Sequence, residues 1–204
     1  MINILIRTCN RPNYFKGLYK SITSQTYKQI RQIVSYDNKR DLGYIPNDWD
    51  SFLMKRPDKS IGTFPYNLYE NKLMEQVTKG WVMFLDDDDQ FIDKDSLSTI
   101  ASHAKTKNDL LLWRVQIHNR IVPENNNWEK LPVKRCHISG IGFMFHKKYI
   151  KFGQWNANKG SDYRVIYNLT QKIPNIIWID KVLTSLQQRG NGKRVQGMGK
   201  RIDK

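Results

Sequence analysis

The sequence predicts an α/β fold: a mostly parallel central sheet flanked by helices, in a single domain. Three observations predict it. Apolar, β-branched runs of strand length recur at INILIRT (2–8), IRQIVSY (30–36) and WVMFL (81–85). Stretches with helical spacing lie between them, the alternation that a parallel sheet requires. Each run also stops at a polar cluster: Thr8-Cys9-Asn10-Arg11, Asp37-Asn38, and Asp86 to Asp89. In open parallel sheets, ligands bind outside the carboxyl ends of the strands.

The elements follow in order. Asn10, Arg11, Pro12 and Asn13 break the first strand, and Pro12 or Asn13 opens a helix. Phe15, Leu18, Tyr19 and Ile22 recur on one face of it. Residues 38–65 are rich in turn residues and read as a long loop with short helical pieces. Tyr66, Tyr69, Leu73 and Val77 share a helical face, and Gly80 ends that helix before WVMFL. Beyond the aspartates, Asp93 or Asp95 caps a helix containing Leu97, Ile100 and Ala104. NDLLLWRVQIH (108–118) is a strand, and 119–135 a polar loop around PENNNW. HISGIGFMFH (137–146) is another strand, whose glycines leave room beside its backbone. GSDYRVIYNLTQK opens with a capping pattern and continues as a helix. IIWIDKVLTSLQQR (176–189) is a final strand or pair of strands.

Composition narrows the class. The chain has 204 residues, 39% hydrophobic, with six Trp, ten Tyr and eight Phe, which excludes a disordered chain. Two cysteines, Cys9 and Cys136, are too few for a disulfide framework and read as free thiols in a reducing compartment. The apolar run at the start is too short for a signal peptide or a membrane span, so a soluble cytoplasmic protein is expected. Lys and Arg number 34 against 19 Asp and Glu, a net charge of +15. That balance favours polyanions: nucleic acid, anionic membrane or phosphorylated small molecules. The tail 191–204 is basic and glycine-rich, and reads as a flexible end.

The chemistry concentrates in GWVMFLDDDDQF (80–91), where a buried strand runs into four aspartates. Carboxylates this close raise each other's pKa and call for a counter-ion. Alternate carboxylates can bind a hard divalent cation, Mg²⁺ or Mn²⁺, or accept hydrogen bonds from sugar hydroxyls. His103, His118, His137 and His146 show no zinc-site spacing with the cysteines. A metal shared with a diphosphate also explains the positive charge, with Arg11, Arg189, Lys193 and Arg194 as basic partners. No GxxxxGK[ST] loop and no GxGxxG follows the first strand, which argues against a P-loop NTPase and a dinucleotide enzyme.

A strand ending in Thr-x-Asn-Arg-Pro, a second ending in Asp-Asn, and N-x-x-x-x-x-V-x-x-G-W-V-M-F-L-D-D-D-D resemble, in that order, the GT-A glycosyltransferases. The resemblance is to the family-2-like group, including small glycosyltransferase domains of large algal viruses. It covers 1–190 and implies a nucleotide-binding half at about 1–90 and an acceptor half at about 91–190. It implies that Thr8 and Arg11 line the nucleotide pocket, that Asp37 contacts a uracil base, and that Asn71 supports the nucleotide side. Asp86 and Asp88 become the D-x-D pair, Asp86 toward the ribose and metal and Asp88 on the metal. Asp87 fills the variable position, Asp89 approaches the donor sugar, and Asp162 stands where the family carries its acidic catalytic motif, as the general base. Arg189 takes the place of a family histidine after the last strand. The chain departs from the family at Glu70, where Arg or Lys is frequent, and at Ser161-Asp162, where Glu-Asp is frequent.

The resemblance thus implies metal-dependent transfer of a sugar from a UDP-sugar to a glycan or glycoprotein hydroxyl, with inversion. Two rivals come from the residues: a metal-dependent nucleotidyltransferase, and a basic nucleic-acid-binding protein. Neither accounts for Asp37, the four aspartates and Asp162 together, so no nucleic-acid partner is expected.

Overall fold

In the computed structural model, residues 1–187 are described. The chain runs β1 (Ile2–Thr8), α1 (Pro12–Thr23), β2 (Ile30–Tyr36), β3 (Asp50–Leu53), α2 (Leu68–Glu75), β4 (Trp81–Asp86), β5 (Asp89–Phe91) and α3 (Ser96–His103). It continues with β6 (Asp109–Ile117), β7 (Arg120–Val122), β8 (Phe143–His146), α4 (Ser161–Thr170) and β9 (Asn175–Leu186). One sheet joins all nine strands in the order β3-β2-β1-β4-β8-β6-β9-β5, with β7 beside β6.

The sheet is centred on β1, whose seven residues are all buried. It pairs in parallel with β2 on one side and β4 on the other. Its side chains alternate between two cores, Ile2, Ile4 and Ile6 on one face and Leu5 on the other. The first core is closed by Phe15, Leu18 and Ile22 of α1. The second is closed by Leu73 and Met74 of α2 and by Val165, Ile166 and Leu169 of α4. Helices therefore cover both faces, as a parallel sheet buried on both sides demands.

The parallel character holds across β3-β2-β1-β4 and between β6 and β9. Between these blocks β8 runs antiparallel to both β4 and β6, so the sheet as a whole is mixed. A four-residue strand buried on its apolar positions carries no signal of direction in its sequence.

Other differences are local. β3 lies inside the expected loop 38–65, and β5 and β7 are three-residue strands too short to show a period. The strand expected over 137–146 begins only at Phe143. Before it, Gly142 donates to the Ser139 carbonyl (3.0 Å) and closes a turn. A side chain there would stand 2.7 Å from Val115 and 3.2 Å from the Trp113 carbonyl, so the glycine serves close approach, as its sequence context suggested. α2 ends at Glu75, short of Gly80. Asp95 precedes α3 without a side-chain cap, while Asp93 accepts from the Asp95 amide (2.8 Å) and the Ser96 hydroxyl (3.2 Å). α4 starts from Gly160 at φ 77°, and Ser161 accepts from the Asn156 amide (2.8 Å) instead of capping. The last segment is one strand, bulged against β6 near Arg114. Arg189, Lys193, Arg194 and the tail 191–204 lie outside the described residues. Among the described residues no helix is long and apolar enough to cross a membrane, and Cys9 and Cys136 are unpaired.

One buried polar chain ties the second half together. The Trp113 indole N–H donates to the Thr184 hydroxyl (2.9 Å), which donates to the Ile141 carbonyl (2.8 Å). Thr184→Val keeps the shape but strands both groups away from water, at a cost of roughly 1–3 kcal/mol each at most. Urea denaturation should show Thr184→Val less stable by about that amount, with Thr184→Ser close to the parent. Equal midpoints for Thr184→Val and the parent would remove this chain from the account of stability.

Candidate active site

Where β1 leaves the sheet, five successive residues each donate to an aspartate. Arg7 binds Asp86 through Nε (2.7 Å) and Nη2, and the Thr8 hydroxyl donates to Asp87 (2.7 Å). The Cys9 thiol donates to Asp37 (3.1 Å) and the Asn10 amide to Asp41 (3.0 Å). Arg11 pairs with Asp87 and reaches Asp88 at 3.1 Å. The parallel register β2-β1-β4 makes this possible, because it brings three strand ends to one edge.

The four aspartates take different surroundings. Asp87 has no exposure and turns inward to Thr8 and Arg11. Burial pushes its carboxyl up to about 7, against the pull of Arg11. Asp89 is 4% exposed and accepts from the Asp86 amide (2.7 Å). Burial, then the charges of Asp88 and Asp86, push it well above the carboxylate range. Burial also raises Asp88, with Arg11 opposing and Asp86 adding to the rise. Gln187, just past β9, clamps the turn: its amide group donates to the carbonyls of Asp87 and Asp89, both at 3.0 Å.

Asp86, Asp88 and Asp89 present oxygen atoms within 4.8 Å of one another. Three hard oxygen donors, two of them destabilised as lone anions, fit a hard divalent cation such as Mg²⁺ or Mn²⁺. Asp87 stands outside this set.

Asp37 anchors a second cluster. Its carboxylate accepts from Cys9, from Arg56 through Nε (2.9 Å) and Nη2 (3.0 Å), and from the Tyr69 hydroxyl (3.2 Å). Burial raises its pKa, but these four bonds, Arg56 foremost, outweigh it and hold the carboxyl below its ordinary value. The Cys9 thiol is pushed up to about 12 by burial and by Asp37, so it stays protonated as a donor.

The remaining two predicted residues sit across Trp155. The Asn71 side chain donates to the Trp155 carbonyl (2.9 Å) and accepts from its amide (2.8 Å), fixing α2 to the segment before α4. The Trp155 ring is 8% exposed and packs edge-on to Phe84 of β4 at 5.2 Å, so it is a core residue and not an open platform. Trp81 is packed likewise, against His146 at 5.6 Å. Gly140 closes the other side: a Cβ there would meet Trp155 at 3.1 Å and the Asp162 Cβ at 3.4 Å. Asp162 opens α4 in this corner. Burial raises its carboxyl above the ordinary value, opposed by backbone amides of Tyr163, Asp162 and Gly140 and by Arg164.

Thr8, Arg11, Asp86, Asp87, Asp88 and Asp89 thus meet directly, and Asp37 joins through Cys9. Asn71 and Asp162 stand apart from them, on the far side of Trp155 and Phe84. Sequence reasoning missed Arg7, Asp41 and Arg56, and Tyr44, whose hydroxyl is 2.9 Å from that of Thr8; it named Glu70 only as a departure from the family. Arg7 also pairs with Glu70 at 2.7 Å, and its lone charge inside INILIRT was the available signal.

No family model matches the sequence, and no curated protein matches it. Solved structures do. S. aureus TarS 1-349 is 18% identical over 91% of this chain and 60% of its own, with a TM-score of 0.71. The same protein in complex with UDP-GlcNAc matches at 16% identity, over 92% of this chain and 58% of its own, with a TM-score of 0.71. Mannosyltransferase PcManGT from Pyrobaculum calidifontis, in complex with GDP-Man and Mn²⁺, matches at 14% identity over 94% of this chain and 58% of its own, with a TM-score of 0.61. This chain therefore spans about 60% of the length of the TarS fragment. At such identities the likeness is one of fold, and the fold is that of the GT-A glycosyltransferases.

Proposed function

We propose that this chain is a metal-dependent glycosyltransferase that moves a sugar from a UDP-sugar to a hydroxyl of a glycan or glycoprotein, with inversion. The observation that carries the reading is the triad Asp86, Asp88 and Asp89 at the end of a central parallel strand, with Arg11 against it. Support also comes from the neighbours of this fold, one in complex with UDP-GlcNAc and another with GDP-Man and Mn²⁺. In this reading the nucleotide lies against residues 1–90 and the acceptor against 91–190.

Asp88 and Asp86 would hold the ion, which neutralises charge on the departing diphosphate. Arg11 keeps its bond to the buried Asp87 and turns the edge now on Asp88 toward the diphosphate. Thr8 fixes Asp87, and Asp89 faces the donor sugar. Asn71 supports the nucleotide side by locking α2. A uracil N3–H reaches Asp37 by replacing one of its four donors. The Cys9 thiol, the weakest of these, is the one that yields. Asp162 accepts the proton of the acceptor hydroxyl as that oxygen forms a bond to the anomeric carbon, while the bond from that carbon to the diphosphate oxygen breaks and UDP leaves. Attack opposite the leaving group inverts the centre. Arg189 falls outside the described residues and is kept as a second basic contact to the diphosphate.

Two outcomes test the site. Mn²⁺ with UDP should raise the melting temperature more than either alone, by the equivalent of about 2.7 kcal/mol at a hundredfold excess over Kd. UDP should outperform GDP. Asp88→Ala should fold and lose the joint shift; an undiminished shift in that variant would end the metal assignment.

The pH dependence tests Asp162. The base works ionised, and burial holds its pKa above that of an exposed aspartate. The rate should therefore fall as pH is lowered through that raised value, earlier than an exposed carboxylate would dictate. Asp162→Asn should bind UDP-sugar normally, lose on the order of 10²–10⁴ in turnover and flatten the acid limb. Near-parental turnover in Asp162→Asn would reduce Asp162 to a helix-terminal residue.

A further inference from the structure

One residue, a hundred positions beyond the aspartates, holds their backbone. Gln187 follows β9 and is half-buried. Its backbone amide donates to the Asp88 carbonyl (2.7 Å). Its side-chain nitrogen donates to the carbonyls of Asp87 and Asp89, both at 3.0 Å, and to that of Tyr14 in α1 at 2.9 Å. Three successive carbonyls of the aspartate turn therefore accept from this one residue. The pairing of Leu186 with Asp89 in the sheet brings the end of β9 to this point.

The turn needs such a hold. Asp86, Asp88 and Asp89 bring oxygen atoms within 4.8 Å of one another, and carboxylates this close repel. Arg7, Thr8 and Arg11 restrain carboxyl groups of the turn. Gln187 restrains the main chain that carries them. A hard cation binds more tightly to oxygen donors that are already held where it needs them, and residues outside the ligand set supply that hold.

A glycine leaves room for the amide. Gly17 lies in the interior of α1, where glycine is a poor helix former. A Cβ there would overlap the Gln187 Oε1 and stand 2.8 Å from its Cδ. Alanine at 17 would suit the helix better and would push the far end of the Gln187 side chain away from the turn. The helix thus keeps a residue that is locally unfavourable at the one point where the clamp passes.

We propose that Gln187 is a positioning residue for the cation, acting through the main chain of residues 87–89, and that Gly17 gives it the space to act. The inference rests on the assignment of a divalent cation to Asp86, Asp88 and Asp89. It concerns residues that give the ion no ligand of their own.

The test is a titration of the full chain with Mn²⁺ alone, the free ion being read by electron paramagnetic resonance, without nucleotide or turnover. Gln187→Ala and Gly17→Ala should each weaken Mn²⁺ binding about tenfold, as changes beside a ligand set commonly do. The double variant should lose no more than Gln187→Ala alone, because alanine at 17 acts only by displacing the Gln187 side chain. Parental Mn²⁺ affinity in both single variants overturns the proposal. Losses that add in the double variant overturn it too, since the two residues would then act separately on the fold. A parent chain that binds no Mn²⁺ overturns the cation assignment itself and this inference with it, an outcome distinct from a parent that binds and variants that bind equally.

Discussion

The site depends on one arrangement: a strand end whose donors all point at carboxylates. Residues 7 to 11 supply two guanidinium groups, a hydroxyl, a thiol and a backbone amide to Asp86, Asp87, Asp88, Asp37 and Asp41. Without them the buried Asp87 would lose both its side-chain partners, at a cost of several kcal/mol, and Asp37 would be left to Arg56 and Tyr69. The register that places these donors is the same one that buries all seven residues of β1. Core packing and site assembly are therefore one constraint, and a slip of β1 by one residue would break both.

Electrostatically the site opposes the rest of the molecule. The chain carries a net +15, yet Asp37, Asp41, Glu70 and Asp86 to Asp89 gather around only Arg7, Arg11 and Arg56. Seven carboxyl groups against three guanidinium groups leave a deficit of positive charge. Burial raises the carboxyls of Asp87, Asp88, Asp89 and Glu70, and neighbouring carboxylates add to the rise in each. A divalent cation is the simplest physical complement. The surplus of lysines lies elsewhere, so the composition described the surface and the motif described the interior.

The legible part of the fold was the part governed by period and punctuation. β1, β2 and the opening of α1 at Pro12 match their runs residue for residue. β5 and β7 escaped because three residues cannot display alternation, and the direction of β8 because its three buried residues and half-buried histidine read the same either way. In the site, the aspartates were legible because four in a row after a buried strand are hard to explain otherwise. Arg56 and Tyr69 were not, because they reach Asp37 from 19 and 32 residues away across a turn-rich segment. The capping pattern expected at the start of α4 does not form, because the Ser161 hydroxyl is already taken by the Asn156 amide, which the sequence cannot show.

Glu70 closes the account of the departures from the family pattern. Arg or Lys is frequent at this position in the family that the motifs resemble, and here it is an acid with 1% exposure. Its partner is Arg7, 2.7 Å away, which also grips Asp86. A basic residue at 70 would face Arg7 as a like charge in a buried site, so Arg7 and Glu70 only make sense together. Burial pushes Glu70 up to about 8, with Arg7 pulling the other way. Asp86 thus takes its positive partner, Arg7, from β1. Removing Arg7 takes from both Glu70 and Asp86 the cation they share, whereas removing Glu70 leaves Arg7 on Asp86. The same bond fixes the strand end that Asp86 shares with Asp88 and Asp89, so Glu70 contributes to the geometry of the site through Arg7.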